Sequence, residues 1–379
     1  MTIDRALRIG ITCYPSVGGS GILASALGEE LARRGHEVHF ISYSRPFRLP
    51  AAAPRLFFHP VVINDYELFR YPDYTLPLSV KMAEVARDHG LDLLHVHYAV
   101  PHATAAILAR SMLPEGQRPR VVTTLHGTDT TLLGRDPGYG PAIRHALAES
   151  DAVTTVSEFL RVETVRLLGI AEPIDVIHNF FEPQAPARTV AEVRRELGLG
   201  DEPVVLHASN LRPVKRVDLL LDAAARFCRR RPVKLLILAG ADFSPYIPHV
   251  QRLGLRERVI VREKVVGIED YIQVADAAMF TSESESFCLS ALEAMSLGCP
   301  CLARQVGGIP EVSEDGVSGV LVGSDEPHDL ADAMDRLLGD ETARRAMGAA
   351  ARERARSRFS AEVILPQYEA VYRRVCGLR

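Results

Sequence analysis

The stretch Gly10–Gly21, GITCYPSVGGSG, ends one apolar run and opens a helical pattern. Upstream, Leu7–Thr12 reads as a short buried strand. Downstream, Ile22–Arg34 repeats apolar residues at helical spacing. Between them Gly18, Gly19 and Gly21 allow a tight strand-to-helix turn whose amides, at the positive end of the helix dipole, suit an anion. The plainer alternative is the same turn with no ligand, because short glycine motifs are weak signals. The loop is not GxGxxG, and the next strand, EVHFISYS at 37–44, ends without the acidic residue that would hold a dinucleotide's ribose.

The same grammar extends along the chain. Strand-like runs at Glu37–Ser42, Leu91–Val96, Arg120–Leu125, Ala152–Val156 and Ile174–Ile177 alternate with helical patterns such as Ser79–His89, which predicts βαβ units and a parallel sheet. A second series runs from Val204–Ala208 to Leu330–Leu338. The proline-bearing stretch NFFEPQAPARTVAEV separates the two. The expectation is an α/β chain of two Rossmann-like, doubly wound domains, 1–180 and 181–359, with a closing helix at 360–379 crossing back to the first and kinked or divided at Pro366. In such sheets ligands bind beyond the carboxyl ends of the strands, and a cleft between the domains is the expected site.

At 379 residues, 47% hydrophobic and 24% charged, with a formal net charge of -4, the chain has room for two cores. No nucleic-acid or membrane field is implied. The six cysteines (13, 228, 288, 299, 301 and 376) are scattered and lack metal-ligand spacing, so reduced thiols in the cytoplasm are expected. No signal peptide or membrane span is expected either, because the first apolar run is too short.

Four loops carry the chemistry. TTLHGTDTT, 123–131, sets His126, Thr128 and Asp129 where a β-branched strand stops; they suit a polyhydroxyl or carboxylate ligand, or equally an Asx or Thr turn. HVHYAVPHA, 95–103, invites a metal through His95, His97 and His102, but no carboxylate cluster accompanies it, and packing plus a site-facing Tyr98 is preferred. ASNLRPVKR, 208–216, places Arg212, Lys215 and Arg216 beyond a strand, where cations suit a phosphate or form a solvated turn. SESESFCLSALEAMSLGCP, 282–300, carries Glu285 and Glu293 eight residues apart, about two helical turns, which predicts that both project to one side of a helix. They suit an acid/base pair, acceptors for sugar hydroxyls, or a dipole-complementing glutamate with a solvated one.

Taken together, Glu285-x7-Glu293, RPVKR, HGTD, GGIPEV at 307–312 and DGVSGVLV at 315–322 resemble the retaining GT-B glycosyltransferases of the glycogen-synthase-like family 4 type, over essentially the whole chain. The first-half motifs are similar to those of members that act on L-malate in bacillithiol synthesis. The resemblance implies a UDP-GlcNAc donor, L-malate as acceptor, no metal or other cofactor, and a homodimer. It implies that Arg212 and Lys215 clamp the diphosphate and that Glu293 accepts from the ribose. Glu285, with the amides of Phe287, Cys288 and Leu289, would hold the hexose; Gly19 would meet the donor, and His126 would reach the sugar. Ser20, Tyr98, Thr124 and Thr128 would take the acceptor.

Three positions depart from the family pattern: Cys288 where glycine is usual, Asn210 where a related pattern has arginine, and Glu263 where glycine is frequent. An inositol phosphate or a glycan is the alternative acceptor. A non-catalytic two-domain binding protein is opposed by the combination of cations and carboxylates.

Overall fold

The computed structural model describes residues 5–15, 18–46, 49–50, 53–63, 73–170 and 173–378. They form two compact units: residues 1–179 with 361–379, and residues 180–360.

The first unit holds a sheet of seven strands: β1 Arg8–Thr12, β2 Glu37–Ser42, β3 Leu56–Pro60, β4 Leu93–His97, β5 Arg120–Leu125, β6 Ala152–Thr155 and β7 Ile174–Val176. All pair in parallel, in the order β3-β2-β1-β4-β5-β6-β7. Near-continuous apolar strands such as RIGIT and LLHVH are what a sheet covered on both faces requires. Ile9, Ile11, Leu93 and Val96 are accordingly fully buried. The edge strand β3 has no counterpart in the sequence reading; its LFFHP run is apolar but short and closed by Pro60, and only Leu56 of its five residues is buried. The closing helix Ala361–Val375 belongs to this unit and is one helix with Pro366 inside it, not two. Glu369 pairs with Arg34 at 3.2 Å, and the Tyr372 hydroxyl lies 2.7 Å from His95 Nδ1.

The second unit repeats the plan with six parallel strands: β8 Val204–Ser209, β9 Lys234–Ala239, β10 Val259–Glu263, β11 Ala277–Phe280, β12 Cys301–Arg304 and β13 Gly319–Val322. Their order is β10-β9-β8-β11-β12-β13. The helices Val217–Arg230 and Pro327–Gly339 bury Leu220, Ala224, Phe227, Leu330 and Met334 with Leu235, Ile237 and Met279 of the sheet. A side chain of this size contributes roughly 1.5–3 kcal/mol when fully buried. In both units the strand order reverses direction beside the central strand, β1 or β8, the topological switch where loops diverge to leave a crevice.

Candidate active site

At the carboxyl end of β8 the chain turns through Ser209–Arg216. Asn210 Oδ1 accepts from the Arg212 amide at 3.4 Å, so Asn210 shapes the turn. Leu211 and Arg216 have φ of 56° and 47°, left-handed values that are costly for a side chain with a Cβ. The strain frames a short helical turn, Pro213–Lys215, with Arg212 exposed at its start.

Lys215 is brought onto the loop after β11. Its Nζ lies 2.6 Å from Glu285 Oε1, the two side chains being 21% and 9% exposed. Ser282 donates its hydroxyl to the same oxygen at 2.7 Å. Burial works against the Lys215 charge, but Glu285 more than compensates and holds its pKa above the ordinary value. His207, buried on β8, contacts the Met279 carbonyl and the Ser209 hydroxyl at 2.9 and 2.8 Å; burial, chiefly, lowers its pKa to about 4.

The helix Leu289–Ser296 starts after Cys288, whose φ of 74° is the left-handed value glycine favours. Cysteine adopts it, buried, so the departure at this position leaves the loop geometry in place. The helix begins at Leu289, so Glu285 lies at the mouth of the loop before it, and the expectation that the two carboxylates project from one side of a single helix is corrected. Glu293 is on the helix and 4% exposed. The amides near Leu289 fall in the first turn, where an α-helix leaves its N–H groups without intrahelical partners.

The GGIP stretch sets the position of Glu285. Gly308 donates to the Glu285 carbonyl at 2.9 Å, and a Cβ on Gly307, at φ 58°, would stand 2.0 Å from that oxygen. Arg304, ending β12, donates to the Ser282 carbonyl at 3.2 Å. Ser282 and Arg304 were not singled out from sequence; the SESES run and the end of a strand were their only signals. Glu263 accepts from the Phe243 amide at 2.9 Å and so holds the loop after β9.

In the first unit, the helix Gly19–Arg33 begins just beyond β1, capped by Gly18. Ser16 and Val17 of the opening loop lie outside the described residues. Ser20 Oγ accepts from the Tyr98 hydroxyl at 3.1 Å, and Tyr98 has φ 82°. Its ring centroid is 5.0 Å from that of His126 and 5.4 Å from that of Tyr14. Ser20, Tyr98 and His126, predicted from separate stretches, thus come together, and Tyr14 joins them.

Thr124 lies beneath. Its side chain is fully buried against His95 Nε2 and Thr154 Oγ1, each at 2.7 Å, and its carbonyl accepts from the Tyr98 amide at 2.9 Å. Its contacts position Tyr98 and His95. Thr128 starts the short helix Thr128–Thr131 and is half-buried.

The HGTD aspartate ties its loop together from inside, though not as an Asx turn, since it accepts from the amide two residues before it and not two after. Asp129 Oδ1 accepts from Gly127 and Thr130 at 2.9 and 3.1 Å, while Oδ2 reaches the Ala99 amide at 3.4 Å, joining the two loops. Burial raises its pKa to about 6 against these donors.

The three histidines of HVHYAVPHA build a neutral network. His97 Nδ1 lies 2.9 Å from His126 Nε2, and His102 Nδ1 lies 2.5 Å from the His97 carbonyl. Burial is the largest cause in each case: it lowers His126 and His95 to about 3 and His102 to about 4, and holds His97 well below its usual value. His126 is therefore a neutral hydrogen-bonding group at pH 7, not an imidazolium acid.

Two doubly wound parallel-sheet domains, one presenting a lysine–glutamate pair at a helix N-terminus, define the GT-B class of glycosyltransferase. A model described as glycosyl transferases group 1 matches residues 190–354, and one described as Glycosyltransferase Family 4 matches residues 17–185. The N-acetyl-alpha-D-glucosaminyl L-malate synthase of Bacillus anthracis is 43% identical over 97% of this chain and 96% of its own. A D-inositol 3-phosphate glycosyltransferase of Nocardia farcinica is 30% identical over 96% and 87%. The solved sucrose-phosphate synthase of Thermosynechococcus elongatus has the same fold, with TM-score 0.80 and 24% identity over 98% of this chain and all of its own. The chain belongs to the family 4 glycosyltransferases.

Proposed function

We propose that the chain transfers N-acetylglucosamine, with retention, from UDP-GlcNAc to the hydroxyl of L-malate and releases UDP. The observation that carries this reading is the 43% identity, over nearly the full length of both chains, to an L-malate synthase. The inositol phosphate enzyme stands at 30%. A phosphorylated acceptor would also need a further cation. Of the candidates Arg110, Arg135 and Arg144, Arg110 is committed to Asp151 at 3.0 Å and Glu149 at 3.3 Å.

In the proposed reaction the malate hydroxyl oxygen forms a bond to the anomeric carbon as the bond from that carbon to the β-phosphate oxygen breaks. The hydroxyl proton passes to the departing phosphate oxygen, so no enzyme nucleophile is used. Arg212 and Lys215 stabilise the charge growing on the diphosphate, the kind of preorganised electrostatic effect that supplies much of a barrier reduction. Glu285 and the amides at Phe287, Cys288 and Leu289 hold the hexose, Glu293 takes the ribose hydroxyls, and His126 donates to the sugar. Ser20, Tyr98 and Thr128 receive the malate carboxylates, the helix N-terminus at Gly19 meets the donor's diphosphate and a malate carboxylate, and Thr124 acts through Tyr98. Catalysis proceeds in the cytoplasm, needs no metal and persists in EDTA; a homodimer is the proposed assembly. Among the described residues no helix is long and apolar enough to cross a membrane.

The test is UDP release by the purified chain from UDP-GlcNAc with L-malate, D-malate or inositol 1-phosphate. Release is expected with L-malate. Release with inositol 1-phosphate alone would refute the malate assignment and keep the family.

A further inference from the structure

Apart from these loops, three imidazoles converge on the edge of the first sheet. His39 is on β2, His59 on β3, and His89 ends the helix Thr75–His89. One nitrogen from each lies within 4.8 Å of the other two, the closest pair being His39 Nδ1 and His59 Nε2 at 2.9 Å. The ring centroid of His89 is 4.4 Å from that of His39 and 5.1 Å from that of His59.

We propose that His39, His59 and His89 form a binding site for a divalent transition-metal cation of the Zn2+ type, tying β3 to β2 and to the adjoining helix end. Zinc bonds to imidazole at about 2.0–2.1 Å, so ligand nitrogens around a tetrahedral ion stand about 3.3–3.4 Å apart. The His39–His59 pair stands just inside that value, and the nitrogen of His89 is within 4.8 Å of both. Occupation needs the His39–His59 pair to part by a few tenths of an ångström and His89, exposed and free to change rotamer, to move inward.

Glu37 supplies the outer partner such a site uses. Its Oε1 is 3.0 Å from His39 Nε2. A hydrogen on Nε2 directed at the carboxylate leaves the Nδ1 lone pair facing His59 and His89, the tautomer a metal needs. With His39 Nε2 donating to Glu37, the contact between the two rings requires His59 Nε2 as its donor; moving that hydrogen to Nδ1 frees a second lone pair with no change in charge. The neighbouring cations are engaged: Lys81 with Glu84 at 2.5 Å, and Arg8 with the His89 carbonyl at 3.2 Å. Three imidazoles without thiolates suit zinc, copper or nickel over magnesium or calcium. His89, at the C-terminus of its helix, lies toward the amino ends of the strands, away from the ligand-binding ends.

The experiment titrates the full, chelator-treated chain with ZnCl2 against a chromogenic competitor. His89→Ala and His59→Ala should each weaken the tightest Zn2+ at least tenfold, and Glu37→Gln by about tenfold. X-ray absorption of the zinc-loaded chain should show imidazole ligands, and its Tm should rise. His89 is exposed, so its variant tests the site even if His59→Ala folds poorly. Unchanged zinc affinity in His89→Ala, or coordination by thiolate, would overturn the proposal.

Discussion

The two units share one fold grammar and place their predicted site residues at the carboxyl ends of parallel strands, in the loops beyond them or in the helices those loops enter, yet they prepare those ends in opposite ways. The second unit keeps charge ready: Lys215 and Glu285 pair at 2.6 Å and Ser282 joins them. The first keeps charge low: Ser20, Tyr98 and Thr124 bond one another or buried histidines held neutral. The contrast fits the division of labour proposed above. A departing diphosphate gains negative charge during the reaction and calls for a fixed cation; an attacking hydroxyl needs placement.

Removing the charged side should have the largest effect. Lys215→Ala is expected to cut kcat for UDP release by about 10²–10³, the range for losing a group that stabilises developing charge. It also strands Glu285 in a mostly buried position, so a lower Tm should accompany it. A kcat within threefold of wild type would remove Lys215 from the reaction.

Next comes the support of that pair. Gly307→Ala places a methyl where 2.0 Å separates it from the Glu285 carbonyl, at a φ that already favours glycine. The loop must shift, and a misplacement near 1 Å costs about 10²-fold in rate. Gly316→Ala, also at positive φ but with nothing within 4 Å of its Cβ position, shares the backbone strain without the collision and should be much milder. Equal losses in the two variants would mean that strain, not Glu285, decides.

The neutral side should fail in acid. His95, His97, His102 and His126 have folded pKa values below the unfolded value near 6.5, so the unfolded chain takes up protons first. Their contribution is complete above about pH 6.5 and is lost as pH falls toward 3–4, each steepening the decline by up to about 1.4 kcal/mol per pH unit, while Asp129, raised to about 6, takes up its proton in the folded state first and offsets one of the four between about pH 6 and 4. Among the described residues, the second unit has one such imidazole, His207. Limited proteolysis between pH 7 and 4.5, with fragments located by mass spectrometry, should cut the first unit first. Earlier cutting in residues 180–360 would contradict the contrast.

Much of this was legible because it is local. Strand and helix periodicity marks βαβ units, and the RPVKR and ESFCLSALEAM loops keep their residues close along the chain. The strand β3 is hard to read because its LFFHP run neither alternates nor extends beyond five residues, the last of them proline, and its partner β2 is set by tertiary pairing. Glu285 and Glu293 were read as one helical face because periodicity does not reveal that Cys288 turns left-handed between them. Thr124 followed a motif to the end of its strand, but whether it faces ligand or His95 is decided by neighbours about 30 residues away. Arg304, which reaches the Ser282 carbonyl from 22 residues away, and the His97–His126 contact are tertiary in the same sense.

The most direct test of the contrast is UDP binding by calorimetry to Glu293→Ala and to Tyr98→Phe. Loss of a carboxylate proposed to accept from the ribose should raise the UDP Kd by about tenfold or more. Loss of a hydroxyl from the first unit should leave UDP affinity within about twofold and raise the KM for L-malate. An unchanged Kd in Glu293→Ala, or a weakened one in Tyr98→Phe, would contradict the assignment of donor and acceptor to the two units.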